Sequence, residues 1–170
     1  MSAIELKPDN AEAHNNLGNV LRDQGQLEES IVAYREAIRL KPRIADAYIN
    51  LGNALKDQGK LEESIAAYGA AIGINPDYAE AHSNLGVILA DQDQLDGAIA
   101  ASRRALELKP DLAAAHCNLG NAFKDQGQLD LSIAAFRVAI QIKPSAALAH
   151  SNLVLNSMLS CRLRCGRNCR

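Results

Sequence analysis

The sequence predicts an all-α fold, an α-solenoid of stacked antiparallel helix pairs. The tripeptide Asn-Leu-Gly recurs with a period of 34 residues, starting at positions 16, 50, 84 and 118. Within each repeat the apolar residues follow a helical spacing twice, and strand-like alternation appears nowhere in the sequence. Because one helix pair cannot bury its apolar faces alone, successive pairs are expected to stack.

Proline marks the end of each repeat. Pro42, Pro76, Pro110 and Pro144 follow one another at the same step, and Pro8 closes a fragment of an earlier repeat. Proline prevents a helix from continuing and starts the turn into the next repeat. The predicted domains are the end of a preceding repeat at 1–10, repeats at 11–44, 45–78, 79–112 and 113–146, a partial repeat at 147–160, and a disordered Cys/Arg-rich tail at 161–170.

Each repeat is predicted to contain two amphipathic helices. In the first repeat the apolar positions of the first helix are Ala13, Leu17, Val20 and Leu21, and those of the second helix are Leu27, Ile31, Tyr34 and Ile38. Between the two helices stand Gly25, Gly59 and Gly127, which suit the left-handed residue that ends a helix. Aromatic residues make up only 4% of the chain, so the core is expected to be aliphatic.

The third repeat departs from the others at two positions. Asp93 replaces the glycine between its helices, and Asp tolerates a left-handed backbone. Ser102 replaces the aromatic residue of the other second helices, which removes a large side chain from the core at a cost of roughly 2 to 4 kcal/mol. The third repeat is therefore predicted to be the least stable.

The pattern of small, large and proline positions resembles the tetratricopeptide repeat family. The positions matched in the first, second and fourth repeats are Leu17, Gly18, Leu21, Ser30, Tyr34, Ala37 and Pro42, then Leu51, Gly52, Leu55, Ser64, Tyr68, Ala71 and Pro76, then Leu119, Gly120, Phe123, Ser132, Phe136, Ala139 and Pro144. The resemblance runs from Ala3 to about Ser160. It implies a right-handed superhelix whose concave groove binds protein segments.

A polar stripe runs along the first helix of each repeat. Glu12, Asn16, Asn19 and Asp23 lie at helical spacing on one face, and the pattern recurs with interruptions at Val87 and Ala114. Asn costs roughly half a kcal/mol relative to Ala inside a helix, so local propensity does not explain it. The candidate peptide-binding residues are Asn16, Asn19, Asn50, Asn53, Asn84, Asn118, Asn121, Asn152, Asp23, Asp57, Asp91 and Asp125.

Two accounts of the asparagines remain open. In the structural account each Asn bonds to the first helix of the next repeat, or duplication copied a harmless residue. In the functional account each carboxamide offers donors and an acceptor to the main chain of a bound peptide.

The asparagine ladder resembles the repeat region of O-GlcNAc transferases. In that subfamily such a ladder lines the inner groove and binds the backbone of a polypeptide, which implies the same role for the asparagines of this chain. The resemblance also implies that the acidic residues, with Arg22, Lys56 and Lys124 beside them, contact the side chains of the ligand. Chaperone-binding members of the family use Lys and Arg to clamp a terminal carboxylate. This chain has Asn15, Ile49, Ser83 and Cys117 at the expected lysine positions, which disfavours that ligand.

Several function classes are disfavoured by composition. With 18 Lys and Arg against 20 Asp and Glu the net charge is -2, so nucleic acid is an unexpected partner. Neither a signal peptide nor a membrane span is predicted. The uneven cysteines favour a reducing, cytoplasmic location over a disulfide framework. The sequence contains no catalytic constellation and predicts neither an enzyme nor a cofactor.

Histidine and cysteine clusters were weighed as metal sites. His14, His82, His116 and His150 share one position in their repeats, but packed helices stand about 8 to 10 Å apart, too far for ligands of one ion. A role in packing is predicted for them. Cys161, Cys165 and Cys169 lie beside arginines, at a spacing that matches no zinc pattern, so no metal is predicted.

The predicted function is a protein–protein interaction scaffold that binds an extended peptide in its groove through the asparagine ladder. One alternative is a structural scaffold that self-associates end to end, because residues 3–7 resemble a broken-off second helix and the fifth repeat lacks its closing helix. Another is the substrate-binding arm of an O-GlcNAc transferase-like glycosyltransferase, detached from its enzyme.

Overall fold

The fold is all-α, as the sequence predicts. The computed structural model describes the backbone of residues 10–167 and the side chains of residues 10–159. Over this range the chain forms nine helices and no strand. The helices are α1 (Ala11–Asp23), α2 (Leu27–Leu40), α3 (Ala45–Asp57), α4 (Leu61–Ile74), α5 (Ala79–Asp91), α6 (Leu95–Leu108), α7 (Ala113–Asp125), α8 (Leu129–Ile142) and α9 (Ala147–Arg167).

Each helix pair lies within one sequence repeat, so the first helices are α1, α3, α5, α7 and α9. The chain divides into two compact halves, Met1–Asn84 and Leu85–Arg170, and the division falls inside α5. They are called the N-terminal and C-terminal halves. No helix among the described residues has both the length and the apolar character needed to cross a membrane.

The turn between the two helices of a repeat is fixed by a left-handed residue. In the first repeat Gly25 has a φ of 79°. Its N–H donates to the carbonyl of Arg22, and the next N–H, of Gln26, donates to the carbonyl of Leu21. This pair of bonds satisfies carbonyls that the end of a helix leaves without partners. Asp93 takes the same conformation, with a φ of 59°, so the predicted tolerance of Asp at this turn is confirmed.

In the N-terminal half the core is built on contacts between an aromatic ring and a glycine. The ring of Tyr34 lies so close to Gly18 that a Cβ there would meet it at 2.5 Å, and the ring of Tyr68 lies 2.8 Å from a Cβ built on Gly52. Both tyrosines are fully buried. The glycine of the Asn-Leu-Gly motif therefore allows the second helix to press its aromatic residue onto the first.

In the C-terminal half the same contact is present in one repeat and changed in the other. Phe136 packs on Gly120, with 2.9 Å to a Cβ built there. The atoms nearest to a Cβ built on Gly86 are instead the hydroxyl oxygen of Ser102 at 2.9 Å and the backbone carbonyl oxygen of Ala98 at 3.2 Å. Ser102 is fully buried, and its Oγ has no hydrogen-bond partner.

Helix α9 continues to Arg167, past the predicted end of the repeats at Ser160. It is held by Asn156, which is fully buried and donates from Nδ2 to Oγ of Ser132 at 2.8 Å. That hydroxyl donates in turn to the carbonyl oxygen of Gly120 at 2.6 Å. The predicted repeat fragment at 1–10, apart from Asn10, and the last three residues of the predicted tail lie outside the described residues.

Candidate functional site

The polar stripe of the first helices forms a hydrogen-bonded network in the N-terminal half. Asn50 on α3 donates from Nδ2 to Oδ1 of Asn15 on α1, at 3.0 Å. Asn84 on α5 donates in the same way to Oδ1 of Asn53 on α3, at 3.2 Å. Each of these carboxamides therefore reaches back to the first helix of the preceding repeat.

Tyrosine hydroxyls of the second helices join this network. The hydroxyl of Tyr34 donates to Oδ1 of Asn19 at 2.9 Å, and that of Tyr68 donates to Oδ1 of Asn53 at 2.6 Å. Burial raises the pKa of Tyr34 and raises the pKa of Tyr68 to about 12. Both phenols therefore keep their proton at neutral pH and remain donors.

These bonds orient the carboxamides. Oδ1 of Asn53 accepts two hydrogen bonds, one from Tyr68 and one from Asn84. Only the oxygen of a carboxamide can accept these bonds, so the oxygen of Asn53 faces Tyr68 and Asn84. The amino group of Asn53 therefore points away from both donors. In Asn84 the amino group is used, which leaves its oxygen as the free end. The bond between these two first helices thus uses the oxygen of Asn53 and the amino group of Asn84.

The remaining site residues of the N-terminal half are more exposed. Asn16 is exposed, and the bond from Asn50 goes to its neighbour Asn15. Asp23 and Asp57 are also exposed, and Nζ of Lys56 lies 3.9 Å from Oδ1 of Asp57. This side of the stripe presents carboxylates to solvent, with Lys56 beside Asp57.

In the C-terminal half the polar stripe of the first helices lines a cavity. Asn152 on α9 donates from Nδ2 to Oδ1 of Asn121 on α7, at 3.0 Å. Nζ of Lys124 lies 3.3 Å from Oδ1 of Asp125. A cavity of about 260 Å³ is lined by Gly86, Val87, Ala90, Asp91, Asn118, Asn121, Lys124 and Asp125. The structure therefore brings together the predicted site residues Asp91, Asn118, Asn121 and Asp125.

The third repeat lacks one asparagine of the ladder, and the fourth repeat lacks the tyrosine that would donate to it. Val87 stands where Asn19, Asn53 and Asn121 stand in their repeats. Phe136 replaces the tyrosine of the fourth repeat, so Asn121 has no phenol to accept from.

The structural account expects each asparagine to bond to the first helix of an adjacent repeat, and Asn50, Asn84 and Asn152 do so. Each of them donates to the preceding repeat, however, and not to the next one. Such a bond uses one end of the carboxamide and leaves the other end for a ligand. A structural role and a binding role therefore share the same side chains.

Sequence reasoning missed the tyrosine hydroxyls and Asn15 as parts of the network. A signal was present, because Tyr34 follows Asn19 by the same interval as Tyr68 follows Asn53. It also missed Tyr78, whose hydroxyl donates to Oδ1 of Asp46 at 2.6 Å. This bond, together with burial, raises the pKa of Tyr78 to about 12.

The four positions at which chaperone-binding members carry a clamp lysine are mostly buried or half-buried in this chain. Ile49 and Ser83 are buried, and Asn15 accepts the bond from Asn50. Cys117 is half-buried, and burial raises the pKa of its thiol, which keeps the thiol protonated at neutral pH.

The repeated histidines contact the prolines that begin the turns. Nε2 of His82 lies 3.0 Å from the carbonyl oxygen of Pro76, that of His116 lies 3.0 Å from Pro110, and that of His150 lies 2.9 Å from Pro144. Each ring nitrogen thereby donates to a carbonyl that proline leaves outside the helix. Among the described residues no group of three His, Cys, Asp or Glu side chains is placed to hold a metal ion.

Three solved structures illustrate what the chain is similar to. The crystal structure of MamA is 27% identical, with a TM-score of 0.75, and the match covers 85% of this chain and 84% of that one. YrrB, described as a TPR protein with an unusual peptide-binding site, is 24% identical with a TM-score of 0.74, over 93% and 81% of the two chains. MamA from Desulfovibrio magneticus RS-1 is 21% identical with a TM-score of 0.78, over 88% and 85%.

No curated protein sequence matches the chain. The model of the TPR repeat matches residues 18–59, 52–93, 88–127 and 120–153, and a second model, of the tetratricopeptide repeat, matches residues 1–32. These matches cover most of the chain. The chain belongs to the tetratricopeptide repeat family.

Proposed function

We propose that this chain is a protein-interaction scaffold that binds an extended segment of another protein along its first helices, with the asparagine ladder holding the main chain of the ligand. The observation that carries the proposal is the pair of hydrogen bonds at Asn53, whose Oδ1 accepts from Tyr68 and from Nδ2 of Asn84, so that neither bond uses the amino group of Asn53 or the oxygen of Asn84. A peptide group needs one acceptor for its N–H and one donor for its C=O.

Such recognition is independent of ligand sequence, because every residue except proline carries the same two main-chain groups. The exposed carboxylates of Asp23, Asp57 and Asp125 add a preference for basic ligand side chains. The same fold carries a peptide-binding site in YrrB, according to the description of that protein, so the fold is compatible with this use. The resemblance of the ladder to O-GlcNAc transferase repeats remains a prediction.

The test uses an immobilised array of short peptides of varied sequence as the probe. In the test variant Asn16, Asn50, Asn84 and Asn118 are all replaced by Ala. We expect binding to the array to fall by at least about tenfold, because each lost hydrogen bond contributes about 0.5–1.5 kcal/mol. Circular dichroism checks that helicity is retained.

The control variants Asn75→Ala and Gln141→Ala change polar side chains that are exposed away from the stripe, and they should bind like the parent chain. A second measurement replaces single backbone N–H groups of a bound peptide by N-methyl groups. Main-chain recognition predicts that N-methylation weakens binding more than Ala substitution of the same ligand residue. Equal binding by the quadruple variant and the parent chain would rule out the ladder.

Self-association is a second candidate function, because helix α9 exposes several large apolar side chains. Leu148 is 80% exposed and Met158 is 62% exposed, and Val154 and Leu155 lie on the same helix with more than half of their surface in solvent. Exposed apolar patches of this kind mark contact surfaces. Light scattering separates the two functions, because self-association predicts a mass that rises with protein concentration without any peptide.

A further inference from the structure

The cavity of the third and fourth repeats has features that the asparagine ladder alone does not explain. Its volume is about 260 Å³, and its eight lining residues lie on α5 and α7. Three of the four lining residues on α5 carry no polar side-chain group, namely Gly86, Val87 and Ala90. A cavity of about 150 Å³ is already large enough to hold a benzene molecule. The space therefore accommodates a whole side chain beside a largely apolar wall.

The second repeat shows which group occupies the corresponding place. There the ring of Tyr68 lies against Gly52, and its hydroxyl donates to Oδ1 of Asn53. Asn84, on the next first helix, donates to the same oxygen. The counterparts of this glycine and of these two asparagines all line the cavity, and they are Gly86, Val87 and Asn118. The cavity therefore lies where the second repeat places a phenol.

The third repeat supplies no ring at this place. Ser102 is the counterpart of Tyr68, and its buried Oγ lies 2.9 Å from a Cβ built on Gly86. The residues that line the cavity do not include Ser102. Val87 cannot accept the hydrogen bond that Asn53 accepts. The third repeat thus lacks both the phenol and its acceptor, and it keeps the glycine on which a ring would pack.

We propose that this cavity is a specificity pocket for an aromatic side chain of the bound protein segment, which takes the place that Tyr68 has in the second repeat. The inference rests on the peptide binding proposed above and adds to it a preference at one ligand position. Main-chain recognition accepts any sequence, because the groups it uses are common to all residues. A pocket of the size of one ring selects a class of side chain.

The charged lining residues favour an aromatic ring over a saturated group of the same size. The carboxylates of Asp91 and Asp125 line the cavity, and Nζ of Lys124 lies 3.3 Å from Oδ1 of Asp125. An aromatic ring has a positive edge and a negative face, so a carboxylate attracts its edge and an ammonium attracts its face. Contact with Val87 and Ala90 is available to both kinds of group, so the charges decide between them.

The probe for this pocket is p-cresol, which is the side chain of tyrosine without a main chain. It is titrated into the full chain and followed by heteronuclear NMR. We expect saturable binding in the millimolar range, with the largest shifts at the backbone amides of Val87 and Asn118. The control ligand is methylcyclohexanol, the saturated counterpart of p-cresol with the same hydroxyl group. It should bind about two- to tenfold more weakly.

Two variants test the pose of the ring. Val87→Asn restores the acceptor that Asn53 offers to Tyr68, so it should strengthen p-cresol binding by about two- to tenfold and leave the affinity for toluene, which lacks the hydroxyl, unimproved. Val138→Asn makes the same exchange at an exposed position outside the cavity and should change neither affinity. Ser102→Tyr supplies a ring from the chain itself and should weaken p-cresol binding at least about tenfold.

Absence of saturable shifts on α5 and α7 overturns the proposal, and so does equal binding of p-cresol and methylcyclohexanol. An affinity for p-cresol that Val87→Asn does not raise also overturns it, and this result does not depend on whether Ser102→Tyr folds. Because p-cresol has no main-chain groups, its binding does not require main-chain recognition by the ladder, whereas array peptides without aromatic residues test the ladder alone. A failed pocket is thus distinguishable from a failed peptide groove.

Discussion

Two of the positions at which the second and third repeats differ are in contact with each other in the second repeat, and they connect the core to the candidate site. In the second repeat Tyr68 packs its ring on Gly52 and donates its hydroxyl to Asn53. In the third repeat Ser102 replaces the tyrosine and Val87 replaces the asparagine. One side chain therefore serves both the packing of a helix pair and the orientation of a ladder carboxamide.

The fourth repeat is an intermediate case. Phe136 keeps the ring against Gly120 and lacks the hydroxyl, and Asn121 is retained and accepts from Asn152 instead. Loss of the hydroxyl alone is thus compatible with an asparagine at this position, because a neighbouring first helix supplies the donor. Where the aromatic residue itself is lost, the chain has a valine.

The largest expected effect comes from making the second repeat resemble the third. Tyr68→Ser removes a fully buried ring from its contact with Gly52. We expect the free energy of unfolding in urea to fall by about 3–5 kcal/mol, as for other deletions of buried aromatic side chains. Tyr48→Ser is the control at a half-buried tyrosine and should cost clearly less. Similar losses for the two variants would show that the ring on glycine is not the main support of the repeat.

A smaller effect should distinguish the local stability of the third repeat from that of the second in the unmodified chain. If Ser102 leaves the third repeat less well packed, α6 should open more readily than α4 or α8. We expect backbone amides of α6 to exchange with solvent faster, corresponding to a free energy of opening lower by roughly 2–4 kcal/mol. Hydrogen–deuterium exchange followed by mass spectrometry measures this. Slower exchange in α6 than in both other helices would contradict the prediction.

Most of the fold follows from the sequence, because each signal acts locally. The helix pairs follow from the apolar spacing, and the turns follow from glycine at Gly25, Gly59 and Gly127 and from Asp93, all of which have positive φ. These signals depend on neighbouring residues and on no distant contact, so one repeat predicts the next.

The bonds of the ladder could not be predicted from the period. Equal positions are 34 residues apart, yet Asn50 donates to Asn15 and Asn84 donates to Asn53. The acceptor is thus 35 residues earlier in one case and 31 in the other. Which acceptor is reached depends on how adjacent first helices are rotated and shifted, and the hydrophobic pattern does not specify this to within one helical turn.

The smallest expected effect concerns two equivalent serines, Ser64 and Ser102. Replacing each by alanine should change the free energy of unfolding in opposite directions. Oγ of Ser64 donates to the carbonyl oxygen of Gly52 at 2.6 Å, whereas Oγ of Ser102 is buried without a partner. Ser64→Ala should lower the free energy of unfolding by about 1 kcal/mol, because a buried hydrogen bond is lost. Ser102→Ala should raise it by about 1 kcal/mol, because a buried hydroxyl without a hydrogen-bond partner is removed. Urea denaturation of the two variants side by side measures both changes, with each serving as the control for the other. If both substitutions lower stability equally, the hydroxyl of Ser102 has a partner in solution, and the weakness of the third repeat lies in the missing ring alone.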